Sequence, residues 1–129
     1  DKHVALRRKM QVFYVDLFQD IDAVSVFTVP HSDYYANYWL TAIVIEPKQE
    51  KGIDREALRL AFEAANIESR PLWKPMHLQP IFESYPYYGG NVAKDLFDNG
   101  LCLPSGSNLS AEDRQRIMKV INQLFLVNR

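Results

Sequence analysis

The sequence predicts an α+β domain in which a small, largely antiparallel sheet packs against helices. Three stretches carry apolar residues at spacings of three and four, short β-branched or apolar runs lie between them, and no internal repeat or low-complexity segment suggests another architecture. With 129 residues, 47% of them hydrophobic and 24% charged, the chain is expected to form one domain over residues 1–129, with apolar material for a single core.

The first stretch, from about His3 to Phe18, sets Leu6, Met10, Phe13 and Leu17 on one stripe beside Arg7, Arg8 and Lys9, so a long amphipathic helix is expected. Residues 24–29 form a β-branched run ending at Pro30, which predicts a strand, and the polar and aromatic residues 31–38 predict a loop. Residues 38–45 are the most apolar segment and predict a central strand buried on both faces. Lys48 to Gly52 predict a solvated turn. Asp54 is placed to cap a helix that carries Leu58, Ala61, Phe62 and Ala65, and Asn66 suits the left-handed residue that ends it.

Prolines 71, 75, 80 and 86 exclude a long regular element from residues 68–88, yet Trp73, Phe82, Tyr85, Tyr87 and Tyr88 crowd the same stretch. It is expected to be an ordered loop packed on something. Asn91 is expected to cap a short helix ended by Asn99-Gly100, and Leu101-Cys102-Leu103 suits a brief buried strand. Ser110-Ala111-Glu112-Asp113 opens the last helix like a capping box with Asp in the usual Glu or Gln place; Ile117, Val120, Ile121, Leu124 and Phe125 form its expected buried face.

Several function classes are disfavoured. Fifteen Lys and Arg against 16 Asp and Glu leave a formal charge of −1, which offers no broad basic surface for nucleic acid or anionic lipid. No window approaches the length of a membrane span, and no signal-peptide core opens the chain. The single cysteine, Cys102, is expected to be a buried hydrophobe, consistent with a reducing cytoplasm and without a disulfide framework. His3, His31 and His77 share no ligand spacing with one another or with Cys102, so no metal site is expected. Glycine loops of the dinucleotide and P-loop types are absent, and Ser105-Gly106-Ser107 lacks the second flanking glycine of a nucleophile elbow. The chain opens at Asp1 almost directly into helix-like sequence, which suggests a piece of a longer protein.

The chemistry concentrates in residues 68–77, Glu-Ser-Arg-Pro-Leu-Trp-Lys-Pro-Met-His. Prolines stiffen this backbone and lower the ordering cost of presenting Arg70, Trp73, Lys74 and His77. Arg70 and Lys74 suit phosphate or carboxylate oxygens, and Trp73 offers a flat face for a sugar or base ring. The other reading of the same residues is a cover for a sheet edge, with Arg and Lys reaching to water. For Asn37, Tyr38 and Trp39, chemistry alone suggests a strand entrance with one large aromatic in the core.

Residues 66–80 resemble the small-domain signature of the DegT/DnrJ/EryC1/StrS family of sugar aminotransferases, most closely the branch that aminates 4-keto-6-deoxy-N-acetylhexosamine nucleotides. Asn37-Tyr38-Trp39-Leu40, Leu101-Cys102-Leu103-Pro104-Ser105-Gly106 and Leu109-Ser110-Ala111-Glu112-Asp113 match in the family's order, and the first helix with Arg7-Arg8 and Tyr14 fits, so the resemblance covers nearly the whole chain. It implies the C-terminal small domain of a fold-type-I, pyridoxal-phosphate-dependent transferase that works as a homodimer in the cytoplasm. The cofactor lysine, the acidic partner of the pyridine nitrogen and the phosphate cup all belong to a large domain absent from these residues.

The resemblance therefore implies no catalytic residue and no bound cofactor here. It implies a substrate-binding set of Arg70, Trp73, Lys74 and His77 beside a nucleotide sugar, with Asn37 and Trp39 near the domain interface, and an amino-acid donor, glutamate. Leu72 departs from branches that carry a histidine there, so contacts from those branches do not transfer. The rival reading is a self-contained α+β ligand-binding or protein-interaction module without a cofactor.

Overall fold

In the computed structural model, residues 1–46 and 52–125 are described; the turn expected at residues 48–52 lies mostly outside them. Four helices and four strands follow in the order α1 (Lys2–Phe18), β1 (Val24–Val26), β2 (Thr41–Ile45), α2 (Arg55–Ala64), β3 (Arg70–Pro71), α3 (Val92–Asn99), β4 (Gly100–Leu103) and α4 (Ala111–Phe125), with short 3-10 turns at Met76–Leu78 and Pro80–Phe82. The sheet runs β1-β2-β4-β3 and every pairing is antiparallel. This is the α+β architecture that the alternation of patterns predicts.

Register explains where the core lies. Val24 pairs with Ile45, Ile43 with Leu101 and Thr41 with Leu103, so these side chains share one sheet face. Against that face pack Met10, Tyr14 and Phe18 of α1, Leu58 and Phe62 of α2, and Ile117, Ile121 and Phe125 of α4. Burying a side chain of this kind stabilises the fold by about 1.5–3 kcal/mol. Ala42, Val44, Cys102 and Gly100 point the other way, where Leu72 and Leu96 approach Gly100. Ala42 and Val44 are only half-buried, so β2 has one fully buried face and not the two expected.

Several local expectations shift for physical reasons. The buried face of α1 is Met10, Gln11, Tyr14 and Phe18, while Leu6, Phe13 and Leu17 are half-buried. Two polar side chains tolerate the inner face because each finds a carbonyl: Gln11 Nε2 donates to Phe27 O at 2.7 Å and the Tyr14 hydroxyl to Pro104 O at 2.8 Å. Strand β1 stops at Val26, with one further bond from Phe27 N to Ala42 O, and β2 starts only at Thr41 because Tyr38 takes φ 48° and breaks the extended run. The Asp54 cap forms, its carboxylate accepting from Ala57 N at 2.8 Å, and Asn66 is left-handed at φ 56°. Asn91 precedes α3 without making a side-chain cap bond.

At α4 the reciprocal pair of a capping box is present: Ser110 N donates to Asp113 Oδ2 at 2.9 Å and Asp113 N to Ser110 Oγ at 3.1 Å. The shorter Asp serves in the Glu position. Leu124 is half-buried beside the four fully buried residues of that helix.

Candidate functional site

Pro71 sits in β3, an edge strand, where a missing donor costs no ladder bond. The proline-rich stretch therefore begins by sealing a sheet edge and then leaves it. Beyond Leu72, whose N–H still bonds Gly100 O at 3.3 Å, most of the expected packing is not found: Phe82 is half-buried, but Trp73, Met76, Ile81, Tyr85, Tyr87 and Tyr88 are exposed. What orders the segment is local, chiefly His77 stacked on Tyr87 with ring centres 3.7 Å apart and the Tyr87 hydroxyl donating to Gly90 O at 2.7 Å.

Where β3 meets the rest of the sheet, a cleft of about 720 Å³ opens between residues 66–71, residues 102–105 and the first turns of α4, with Leu40 and Trp73 beside it. Its charges are balanced. Arg70 Nε donates to Glu68 Oε1 at 2.7 Å, and Arg116 donates to Ala65 O at 2.8 Å while lying 3.9 Å from Asp113. Bonds from the Ser110 backbone and hydroxyl, with Arg116 adding to them, hold the Asp113 carboxyl below the usual range, so it stays ionised at neutral pH. Burial pushes the Cys102 thiol up and keeps it protonated. Ser105 Oγ accepts from Thr41 N at 2.8 Å and donates to Leu103 O at 2.9 Å, which leaves it no base to activate it. Such a cleft can bind a polar ligand; it holds no activated nucleophile.

The six expected site residues separate. Arg70 and Trp73 line the cleft; Lys74, His77, Asn37 and Trp39 do not. Trp39 is 61% exposed, so it is no core aromatic, and its ring stands 6.4 Å from that of Trp73, tilted by 41°. Asn37 uses Oδ1 to accept from Trp39 N at 3.1 Å, which shapes the loop. Lys74 is exposed, and its carbonyl accepts from Gln79 Nε2 at 3.4 Å. Three polar cleft residues lie outside the stretch in which the sequence concentrates ligand chemistry: Asn66, Asp113 and Arg116. Asp113 and Arg116 carry a readable signal, an opposite-charge pair three apart in the first turns of a helix; their approach to residues 66–71 does not show in any local pattern.

The profile of the DegT/DnrJ/EryC1/StrS aminotransferase family matches residues 1–122. The chain belongs to that family. Over 97% of its length it is 34% identical to the Bacillus subtilis (strain 168) protein named "Putative pyridoxal phosphate-dependent aminotransferase EpsN", of which it spans 32%. It is 33% identical to the GDP-perosamine synthase of Escherichia coli O157:H7 over 72% of the chain and 24% of that protein. Among solved structures, a DegT DnrJ EryC1 StrS aminotransferase from Brucella abortus superposes with TM-score 0.76 at 25% identity, covering 95% of this chain and 31% of that one. The aminotransferase TlmJ from Streptoalloteichus hindustanus shares the fold with TM-score 0.80 at 16% identity, over 97% and 32% of the two chains. The chain thus spans about a third, or less, of the length of these relatives.

Pyridoxal phosphate, the group this DegT-family membership implies, requires a lysine placed to bond its aldehyde. Lys2, Lys9, Lys74, Lys94 and Lys119, the lysines among the described residues, are all exposed, and none lines the cleft. The residues present here do not fit the cofactor, although the cleft and the neighbouring tryptophans fit a ligand with polar and flat parts. No helix among the described residues is long and apolar enough to cross a membrane.

Proposed function

We infer that residues 1–129 are the C-terminal small domain of a pyridoxal-phosphate-dependent aminotransferase acting on a nucleotide-linked 4-keto sugar. The reading goes further to UDP-4-keto-6-deoxy-N-acetylhexosamine as substrate, glutamate as donor, and a homodimeric cytoplasmic enzyme serving surface glycan synthesis. The observation that carries it is the family match running through the proline-rich stretch that presents Arg70 and Trp73 at the cleft. The names of the perosamine synthases, which point to nucleotide-linked sugars, support the substrate class. A length of about a third of EpsN supports a separate, larger cofactor-binding part.

In this reading the chain binds and orients. Trp73, 68% exposed, gives a planar ring of the ligand an apolar face, with Trp39 beside it. Arg70, on an edge strand and 79% exposed at its side chain, can leave Glu68 for a phosphate oxygen at little cost, because an exposed ion pair contributes only about 0–1 kcal/mol. The exposed aromatics of residues 73–88 would meet the rest of the enzyme and shield the ligand from water.

The test uses the longer polypeptide that carries these residues. Its pyridoxal phosphate absorption is followed while glutamate and then the UDP-4-keto sugar are added. A donor-dependent loss that the keto sugar reverses is the expected result. A full-length protein that binds no cofactor would return the chain to the rival reading, a self-contained binding module.

A further inference from the structure

Neither indole of the Trp39–Trp73 pair is held by core packing. Trp73 follows edge strand β3, and Trp39 sits in a loop where Tyr38 takes a left-handed φ of 48°. Their relative placement depends on what ties the loop before β2 to the sheet near β3. Arg7, in the first half of α1, supplies such a tie. Its Nη1 donates to the carbonyl of Trp39 and, at 3.2 Å, to that of Ser105, residues 32 and 98 positions away. One guanidinium nitrogen carries two hydrogens, so both bonds form together.

Ser105 in turn is anchored to the sheet through Leu103 O, and β4 holds β3 by the Arg70–Cys102 and Pro71–Leu101 pairings. A continuous chain of bonded groups therefore runs from Trp39 through Arg7 and β4 to β3, the strand that Trp73 follows two residues on. Arg8 steadies the outer part of the loop by donating to Ala36 O and lying 4.3 Å over the Tyr35 ring. It makes no such bond to Trp39.

We propose that Arg7 is a positioning residue that fixes Trp39 against Trp73, setting the shape of the aromatic corner on which the planar base of a nucleotide-linked sugar rests. The role of the corner rests on the function inferred above; the positioning does not.

The experiment compares the parent enzyme with Arg7→Met, which keeps a flexible apolar stem and removes the donors, and Arg7→Lys, which restores an ammonium donor. The far-ultraviolet exciton couplet of the indole pair is taken as the difference between each protein and its Trp39→Phe derivative. The midpoint of thermal unfolding, KM for the nucleotide sugar and kcat are measured alongside, with Phe62→Leu as a control that destabilises the core elsewhere.

Arg7→Met is expected to lose the couplet and to raise KM about tenfold while kcat changes less than about twofold, with partial recovery of both in Arg7→Lys. Phe62→Leu is expected to lower the melting temperature and leave couplet and KM alone. A couplet retained in Arg7→Met, or a KM that simply follows melting temperature across all variants, overturns the proposal. If Arg7→Met does not fold, Arg7→Gln is read in the same way. Should the parent bind no nucleotide sugar, the functional reading fails, and the couplet still decides the role of Arg7.

Discussion

Replacing Ser105 by Ala removes one hydroxyl from the junction of β2, β4 and the cleft. In the register Thr41 stands opposite Leu103, but Thr41 N bonds Ser105 Oγ at 2.8 Å and that oxygen donates to Leu103 O at 2.9 Å. The hydroxyl completes the last rung of the ladder as an inserted link. Ser105 is 4% exposed and Thr41 fully buried, so the alanine variant leaves a buried N–H and a carbonyl short of partners. Thr41 Oγ1 is itself buried without a partner.

An orphaned buried donor costs about 1–3 kcal/mol, and the lost bond to Leu103 O brings the expected destabilisation to about 2–3 kcal/mol. For a domain of this size that lowers the melting temperature by about 6–12 °C. Equilibrium urea unfolding at matched m-value measures it directly. The internal control is Ser107→Ala, whose hydroxyl meets only the exposed His3 Nδ1 among the described residues, at 2.8 Å, and which should stay within about 0.5 kcal/mol of the parent. A loss below about 0.5 kcal/mol for Ser105→Ala would refute the idea that this hydroxyl carries the rung.

Gly100→Ala should destabilise by about 2–3 kcal/mol in the same assay, because the added Cβ would lie 2.2 Å from Leu72 Cδ1 and 2.3 Å from the backbone oxygen of Leu96, and the carbonyl cannot step aside as a side-chain tip can; an unchanged urea midpoint would show that α3 sits loosely on the sheet. Alkaline stability offers a further check, since burial raises both the Cys102 thiol and the Tyr14 phenol. Folded values above the unfolded ones mean that this stabilisation is complete below the unfolded pKa values, about 8.5 for Cys and about 10 for Tyr, and is lost as pH rises towards the folded ones. The urea midpoint should hold to about pH 8 and then fall, with Cys102→Ala removing the first part of the fall and Tyr14→Phe the second; a flat profile to pH 11 contradicts the assignment.

Much of the architecture is legible in local patterns because local physics decides it. The caps at Asp54 and Ser110, the left-handed Asn66 and the buried run at Leu101 to Leu103 each depend on residues within a few positions. The resemblance carried by residues 37–40, 66–80, 101–106 and 109–113 was likewise readable, and the family match bears it out. The inner face of α1 was not, because Gln11 and Tyr14 are admitted to it by carbonyls of Phe27 and Pro104, 16 and 90 residues away. Chemistry alone suggests a strand entrance at residues 37–39 with one large aromatic in the core; instead Tyr38 is half-buried and Trp39 exposed, on a backbone turn at Tyr38 that hydrophobicity does not encode.

The candidate site divides in the same way. By itself the sequence determined what each side chain of residues 68–77 offers a ligand, since proline stiffness, a guanidinium and an indole are properties of the residues themselves. Only the tertiary structure decided which of them meet: it brought Trp39 to Trp73, set Arg70 beside Asp113 and Arg116 around one cleft, and left Lys74 and His77 outside it. The reason is that these contacts join segments separated by dozens of residues, through an antiparallel register and hydrogen bonds such as those of Arg7 and Ser105. Local composition cannot specify such pairings, because they exist only once β2, β3 and β4 lie side by side.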